Sequence, residues 1–373
     1  MGQRNAVRRL VAGSLAVAVG VTCTAAPAAL AGERTQDRER NPRAIVEELT
    51  ESGVPGAMIY GGDRARSWSV SSGTARLGTE RPIRAKDKVR VASNTKMFVA
   101  TVVLQLAGEG KVDLDEPIES YVPGIVRGNG HDGTTITVRQ LLRHTSGLPD
   151  YVADLIGDPG NAERTWRPEE LIAIALEHPP LFEPGTDWAY SNTGYLLLGM
   201  LVERVTGNDV GSEITGRLIT PLGLRQTSYP EPGETRIRGP HAHGYYAFPG
   251  EPLTDVTELE PSLSGASGSL VSTGPDLTRF LTALLSGKLL APELLAEMRE
   301  TVPAGNYDYG LGIGEIPLPC GGVAWGHSGN MPGYDTFSAA TEDGRAAFVV
   351  ANGPMADGES ADLIPAMESA LCR

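Results

Sequence analysis

Strand-like segments stand at the two ends of this chain and helix-like segments lie between them, an order that restricts the fold more than any other feature. Residues 57–61 and 67–72 alternate apolar and polar around a turn, and 89–91 reads as a third short strand. Toward the C-terminus come 310–316, 323–327, 334–340 and 346–352, with Asp343-Gly344 as a hairpin turn between the last two. The middle is helical in pattern. Thr137 can cap 138–143, Pro168 starts 169–177, and 192–205 stops before Gly207. Thr273 can cap 275–286, and 291–300 continues the pattern. Helices at 44–51 and 361–371 flank the strands. The order implies an α+β fold, with one antiparallel sheet formed by both chain ends and an inserted all-α region at about 98–300.

The first 31 residues read as an export signal. Arg4, Arg8 and Arg9 form a basic start, residues 10–21 an apolar stretch too short to span a bilayer, and Ala29-Leu30-Ala31 a cleavage site. The Arg8-Arg9 pair allows a twin-arginine route, and Cys23 a lipid anchor, though the flanks fit both poorly. Residues 32–42 are charged and aperiodic, a flexible leader before a domain at 43–373. No later segment reaches membrane-spanning length, so the expectation is a secreted protein. The formal charge is −14, three units lower once the signal's arginines are gone, which argues against a nucleic-acid partner. Cys320 and Cys372 then remain, and in an oxidising compartment they read first as one disulfide, otherwise as two buried thiols.

Within this frame Ser93-Asn94-Thr95-Lys96 carries chemistry. It follows apolar 89–92 and opens the helix-like run 97–107. A serine and a lysine three apart at a helix start share one face. The helix N-terminus favours an alkoxide on Ser93, and a neutral Lys96 amine can take its proton. The chain uses five lysines against twenty-seven arginines. Arginine cannot be deprotonated, whereas a buried lysine can serve as a base. Two other segments add polar groups. The turn-rich loop 183–192 presents Tyr190 and Asn192, which by themselves also fit a satisfied tyrosine and a helix cap. Gly326-His327-Ser328-Gly329 lies in a strand pattern, where glycine marks close approach of another backbone or a ligand, or a bulge.

Together these three segments resemble the penicillin-recognising serine hydrolases: D,D-peptidases, class C β-lactamases and their esterase relatives. That family carries S-x-x-K, Y-x-N and K/H-T/S-G in this order, here Ser93–Lys96, Tyr190–Asn192 and His327–Gly329. The stretches 141–148, 182–192 and 265–268 are also similar to it. The resemblance implies Ser93 as acyl-forming nucleophile and Lys96 with Tyr190 as general base and proton shuttle. It implies Asn192 on the substrate's acyl side, and His327 and Ser328 on the facing strand. The backbone N–H groups of Ser93 and Asn330 would form the oxyanion hole. No cofactor is implied. His241 and His243 lack a third ligand at zinc spacing, so no metal is expected either.

Substrate choice is where the chain departs from the family. Tyr-Ser-Asn with His-Ser-Gly is similar to extracellular D,D-carboxypeptidases rather than to class C β-lactamases. Yet no Arg or Lys lies between Arg299 and Arg345 to hold a terminal carboxylate. The leading expectation is a D-alanyl-D-alanine carboxypeptidase acting on peptidoglycan stem peptides, with β-lactams as inhibitors or substrates. A β-lactamase, and a carboxylesterase or D-amino-acid amidase acting on small esters or amides, are the alternatives. A non-catalytic penicillin-binding sensor is the reading from another class. Should a carboxylate bind, its affinity is expected to follow protonation of His327 or to depend on a distant arginine.

Overall fold

The structure, a computed structural model, describes residues 41–155, 158–247, 252–305 and 307–373. The export signal read at 1–31 and most of the leader lie outside the described residues. The first described element starts just before residue 43. Asn41 accepts the backbone N–H of Arg43 and Pro42 occupies the first turn, starting α1 (Pro42–Glu51).

Eight strands make up the main sheet among the described residues. In chain order they are β1 (Gly56–Gly62), β2 (Ser67–Gly73), β3 (Val302–Pro303), β4 (Asp308–Tyr309), β5 (Gly314–Pro317), β6 (Val323–Met331), β7 (Tyr334–Ala340) and β8 (Ala346–Ala351). Their spatial order, β2-β1-β8-β7-β6-β5-β4-β3, joins the two chain ends through the antiparallel pair β1 and β8. Both faces of the central strands are covered, which is why β8 reads as the unbroken apolar run Ala-Ala-Phe-Val-Val-Ala. Its alternate residues serve two cores. Val349 packs with Val46 and Leu49 of α1 and Met367 of α7 (Ile364–Leu371), whereas Phe348 and Val350 face the helical side. Full burial of a side chain such as Val46 contributes about 1.5–3 kcal/mol.

On the helical side α2 (Thr95–Gly108) runs through the core. It has no polar face, as expected of a helix buried all round. Around it lie α3 (Val138–Arg143), α4 (Pro168–Ala175), α5 (Asn192–Thr206) and α6 (Gly274–Leu285). Thr137 caps α3 through a reciprocal capping box with Gln140. Two-residue ribbons, such as Tyr245–Tyr246 with Thr254–Asp255, interrupt the helices.

Three elements depart from their sequence patterns. The strand at 89–91 shrinks to Val89–Arg90 and pairs with Val271–Ser272 in a ribbon of its own, because Val91 must turn the chain toward Ser93. The strand expected at 310–316 is broken into the hairpin β4–β5 around Gly312. That glycine has φ +79°, and an added methyl would lie 2.5 Å from Cβ of Ala100. The last helix begins at Ile364 rather than 361, since Pro365 is tolerated only in a first turn.

Cys320, in the turn between β5 and β6, is bridged to Cys372 just after α7, closing a sequence separation of 52. The bridge fastens the final helix to the sheet.

Candidate active site

Ser93 sits on a single 3-10 turn, Ala92–Asn94, with the α-helix starting two residues later at Thr95. Ala92 has φ +46°, an uncommon conformation for a residue with a side chain. The surrounding groups hold it there. Thr95 Oγ1 donates to the Ala92 carbonyl at 2.7 Å, and Asn94 Nδ2 donates to the Val91 carbonyl at 2.9 Å and to Thr336 Oγ1 at 3.0 Å. Ser338 on β7 donates to Asn94 Oδ1. The serine turn is thus bolted to the centre of the sheet.

Gly329 on β6 completes this contact. A methyl there would collide with the Val91 carbonyl oxygen and lie 2.5 Å from Thr336 Oγ1. Close backbone approach is the reason for a glycine within this strand.

Lys96 is wholly buried and its amine has three neighbours within hydrogen-bond range. They are Ser93 Oγ at 3.1 Å, Asn192 Oδ1 at 2.7 Å and the Ser267 carbonyl at 2.8 Å. Burial pushes the amine down to about 7, opposed in part by the negative charge of Asp150. Near neutral pH a large fraction is therefore the free base. The Ser267 carbonyl can only accept, as can Asn192 Oδ1. In the neutral amine the two N–H bonds go to those oxygens, and the lone pair is left for the Ser93 hydroxyl. The arrangement is that of a base aimed at a nucleophile.

Tyr190 lies against the same amine, its ring centroid 4.8 Å from Nζ. Its hydroxyl is buried without a close hydrogen-bond partner among the described residues. Burial holds the phenol well above its usual range, an effect larger than the opposing influence of Ser93. Tyr190 is thus neutral, able to donate or accept a proton, and of the two groups Lys96 is the one whose free base is populated near neutral pH. His144 backs the tyrosine, ring centroids 4.3 Å apart. It occupies the left-handed C-cap of α3 with φ +63° and accepts the Ser191 N–H through Nδ1 at 3.2 Å.

Asn192 opens α5 with both ends of its amide engaged by protein. Oδ1 meets Lys96, and Nδ2 donates to Asp150 Oδ2 at 2.8 Å. Its second Nδ2 hydrogen and the second lone pair of Oδ1 are not used by these two bonds, and Asn192 lines the cleft beside Ser93.

His327 is 4% exposed and turned into the protein. Nδ1 pairs with the Ser328 carbonyl and so carries the proton, leaving Nε2 to accept from the Tyr309 hydroxyl at 2.8 Å. Burial, followed by the charge of Lys96, pushes the imidazole down to about 3. With no anion beside it, His327 offers no cation between pH 5 and 8. Protonation of this residue, one of the two sources of charge expected for carboxylate binding, is thus disfavoured in the unliganded cleft, which leaves the other, a distant arginine. The imidazole is buried, and its environment suppresses the charge.

The cleft beside Ser93 has an apolar wall that includes Tyr151, Leu155, Leu263 and Met331. Asn192 and Asn330 also line it. The Asn330 side chain is tied to Asp335 and to Ser360 Oγ at 2.7 Å. Ser328 is exposed beside it on β6. Among the described residues lining this cleft the only carboxylic acids are Asp158 and Glu260, and none is Lys, Arg or His. Among the described residues no group of three or more His, Cys, Asp or Glu side chains is placed to hold a metal ion. His243 pairs with Asp255 at 2.7 Å, away from the cleft.

The three motifs converge as their order suggested. Asp150, Tyr309, His144 and Ser267 were given no role in the sequence reading. His144 and Ser267 stand inside stretches similar to the family, which is a signal of a kind. Asp150 and Tyr309 reach the site only through tertiary packing.

Comparison with known proteins gives a consistent picture. The protein-family model described as Beta-lactamase matches residues 42–371. The chain is 28% identical to Penicillin-binding protein 4* of Bacillus subtilis (strain 168), covering 87% of this chain and 74% of that one. Among solved structures it is similar to a D-stereospecific amidohydrolase from Streptomyces sp., with 39% identity and a TM-score of 0.82 over 89% of this chain and 98% of the other. It is also similar to the D-amino acid amidase from Ochrobactrum anthropi SV3 complexed with D-phenylalanine, with 28% identity and a TM-score of 0.77 over 90% and 98%.

Proposed function

The chain belongs to the beta-lactamase family and is a serine hydrolase, and on that premise we propose that it hydrolyses amides of D-amino acids through an acyl-enzyme on Ser93. One observation carries the choice of substrate: apart from the catalytic Lys96 behind Ser93, no Lys, Arg or charged His among the described residues lines the cleft to hold a carboxylate. His327 is neutral and hydrogen-bonded at both nitrogens, and the charged residues that line the cleft, Asp158 and Glu260, are acids that supply no cation. Holding a carboxylate without a partner charge is costly. A substrate with a neutral leaving group avoids that cost. The D configuration is supported by the named specificity of the Streptomyces and Ochrobactrum relatives.

In this reading Ser93 Oγ attacks the amide carbon as its proton passes to the Lys96 lone pair. The backbone N–H groups of Ser93 and Asn330 hold the oxyanion, each donor typically contributing about 3 kcal/mol. Tyr190, beside the same amine, passes the proton to the leaving nitrogen, and ammonia departs. Water then attacks the ester, Lys96 takes its proton, and Ser93 Oγ regains one as the acid is released. The apolar wall around Leu155, Leu263 and Met331 receives a large side chain.

D-alanyl-D-alanine carboxypeptidase is the second reading, supported by the similarity to Penicillin-binding protein 4*. A secreted location belongs with either. The described residues contain no helix long and apolar enough to cross a membrane, and the Cys320–Cys372 bridge suits an oxidising compartment. Ammonia release from D-phenylalanine amide and from its L enantiomer tests the proposal. Faster turnover of the D form is expected, and no release from either would refute the amidase.

A further inference from the structure

We infer that Asp150 is a positioning residue for the Lys96 base, acting through Asn192. The inference rests on the reading of Ser93 and Lys96 above, but not on any choice of substrate. An asparagine amide can face either way in a polar site, and here the carboxylate decides. An ionised Asp150 only accepts, so Nδ2 of Asn192 must turn toward it, at 2.8 Å, and Oδ1 must face Lys96, at 2.7 Å. With the amide reversed, Nδ2 would point at the lysine and compete for the lone pair that Ser93 needs. Asp150 thereby directs the lone pair without touching the lysine itself.

Position in the fold supports this. Asp150 follows the stretch 141–148, and its other oxygen, Oδ1, accepts the Val152 N–H at 3.1 Å, fixing the carboxylate rotamer. The neighbouring Pro149 carbonyl accepts Thr193 Oγ1 at 2.7 Å, which ties the segment to the start of α5 where Asn192 sits. Asp150 also supplies the one carboxylate that favours the charged form of Lys96. The other groups facing the amine are His144 and His327, both held neutral by burial, and the phenols of Tyr190 and Tyr195, both kept protonated.

Two variants separate orientation from charge. Asp150→Asn loses the charge and keeps one acceptor oxygen, which can serve Asn192 only by giving up the Val152 N–H, whereas Asp150→Ala loses the charge and both acceptors. The readout is the second-order rate of covalent labelling of Ser93 by a fluorophosphonate between pH 5 and 9, which needs no natural substrate. The wild type should show a rise centred near 7. Asp150→Asn should label with a midpoint moved to lower pH and a plateau close to wild type. Asp150→Ala should lose about tenfold or more on the plateau. Identical plateaus and midpoints in all three proteins would overturn the inference. Equal losses in both variants with an unmoved midpoint would overturn it too, because they indicate a purely structural role for Asp150. A wild type that is not labelled at all would overturn the Ser93 assignment, and this inference with it.

Discussion

The hydroxyl of Tyr309 lies 2.8 Å from Nε2 of His327, and this contact makes a neutral wall of a residue that could otherwise have been a cation. The tyrosine reaches it because Gly312 breaks the strand and folds β4 back along β5. With Nδ1 held by the Ser328 carbonyl, neither nitrogen is left for a substrate.

A pH profile follows from this pair. His327 is uncharged above about 3, so it does not titrate between pH 5.5 and 8.5. Lys96 must lose its proton to act as a base, and its value near 7 makes activity rise with pH through neutrality. kcat/KM for a neutral ester and for a D-alanyl-D-alanine peptide should therefore rise in parallel. A fall confined to the peptide as pH increases would mean that His327 is protonated after all.

Ser93→Ala should abolish both turnover and covalent labelling by a fluorophosphonate, read by intact mass. Lys96→Arg should be as damaging as Lys96→Ala, with losses of roughly 10²–10⁴-fold, because a guanidinium has no lone pair to offer at this pH. Substantial activity in the arginine variant would move the base elsewhere.

Gly329→Ala should cost activity out of proportion to its size. The added methyl meets the Val91 carbonyl and Thr336 Oγ1, so β6 or the serine turn must shift. Gly216→Ala, where an added methyl meets nothing within 4 Å, is the control. Equal kcat/KM in both variants would show that the turn does not depend on this contact.

The Cys320–Cys372 bridge closes a long loop, worth about 4 kcal/mol in the chain-entropy picture. Replacing both cysteines with serine should lower the melting temperature by several degrees while leaving kcat/KM unchanged, since the bridge sits at the far end of β6 from Ser328 and Asn330. An unchanged melting temperature would mean that α7 is held by its apolar face alone.

Much of this site was legible in the sequence, for physical reasons. Ser93 and Lys96 are three apart on one turn, so local geometry brings them together. The strands show because their apolar patterns are strong, and the glycine at 329 because a strand tolerates one poorly. The charge state of His327 was not legible. It depends on Tyr309, eighteen positions away across two hairpins, and on burial that no local pattern records. Asp150 was equally hidden, since its role exists only through the amide of Asn192.

The most direct test compares a D-alanyl-D-alanine peptide with the same peptide carrying an amide in place of its terminal carboxylate. The two differ only in the charge that the cleft must accept, and kcat/KM for release of the last residue reads it. A cleft lined by Asp158 and Glu260, with a neutral His327, predicts the amide to be the better substrate. A free acid cleaved faster than its amide would show that this cleft holds a carboxylate and would contradict the account.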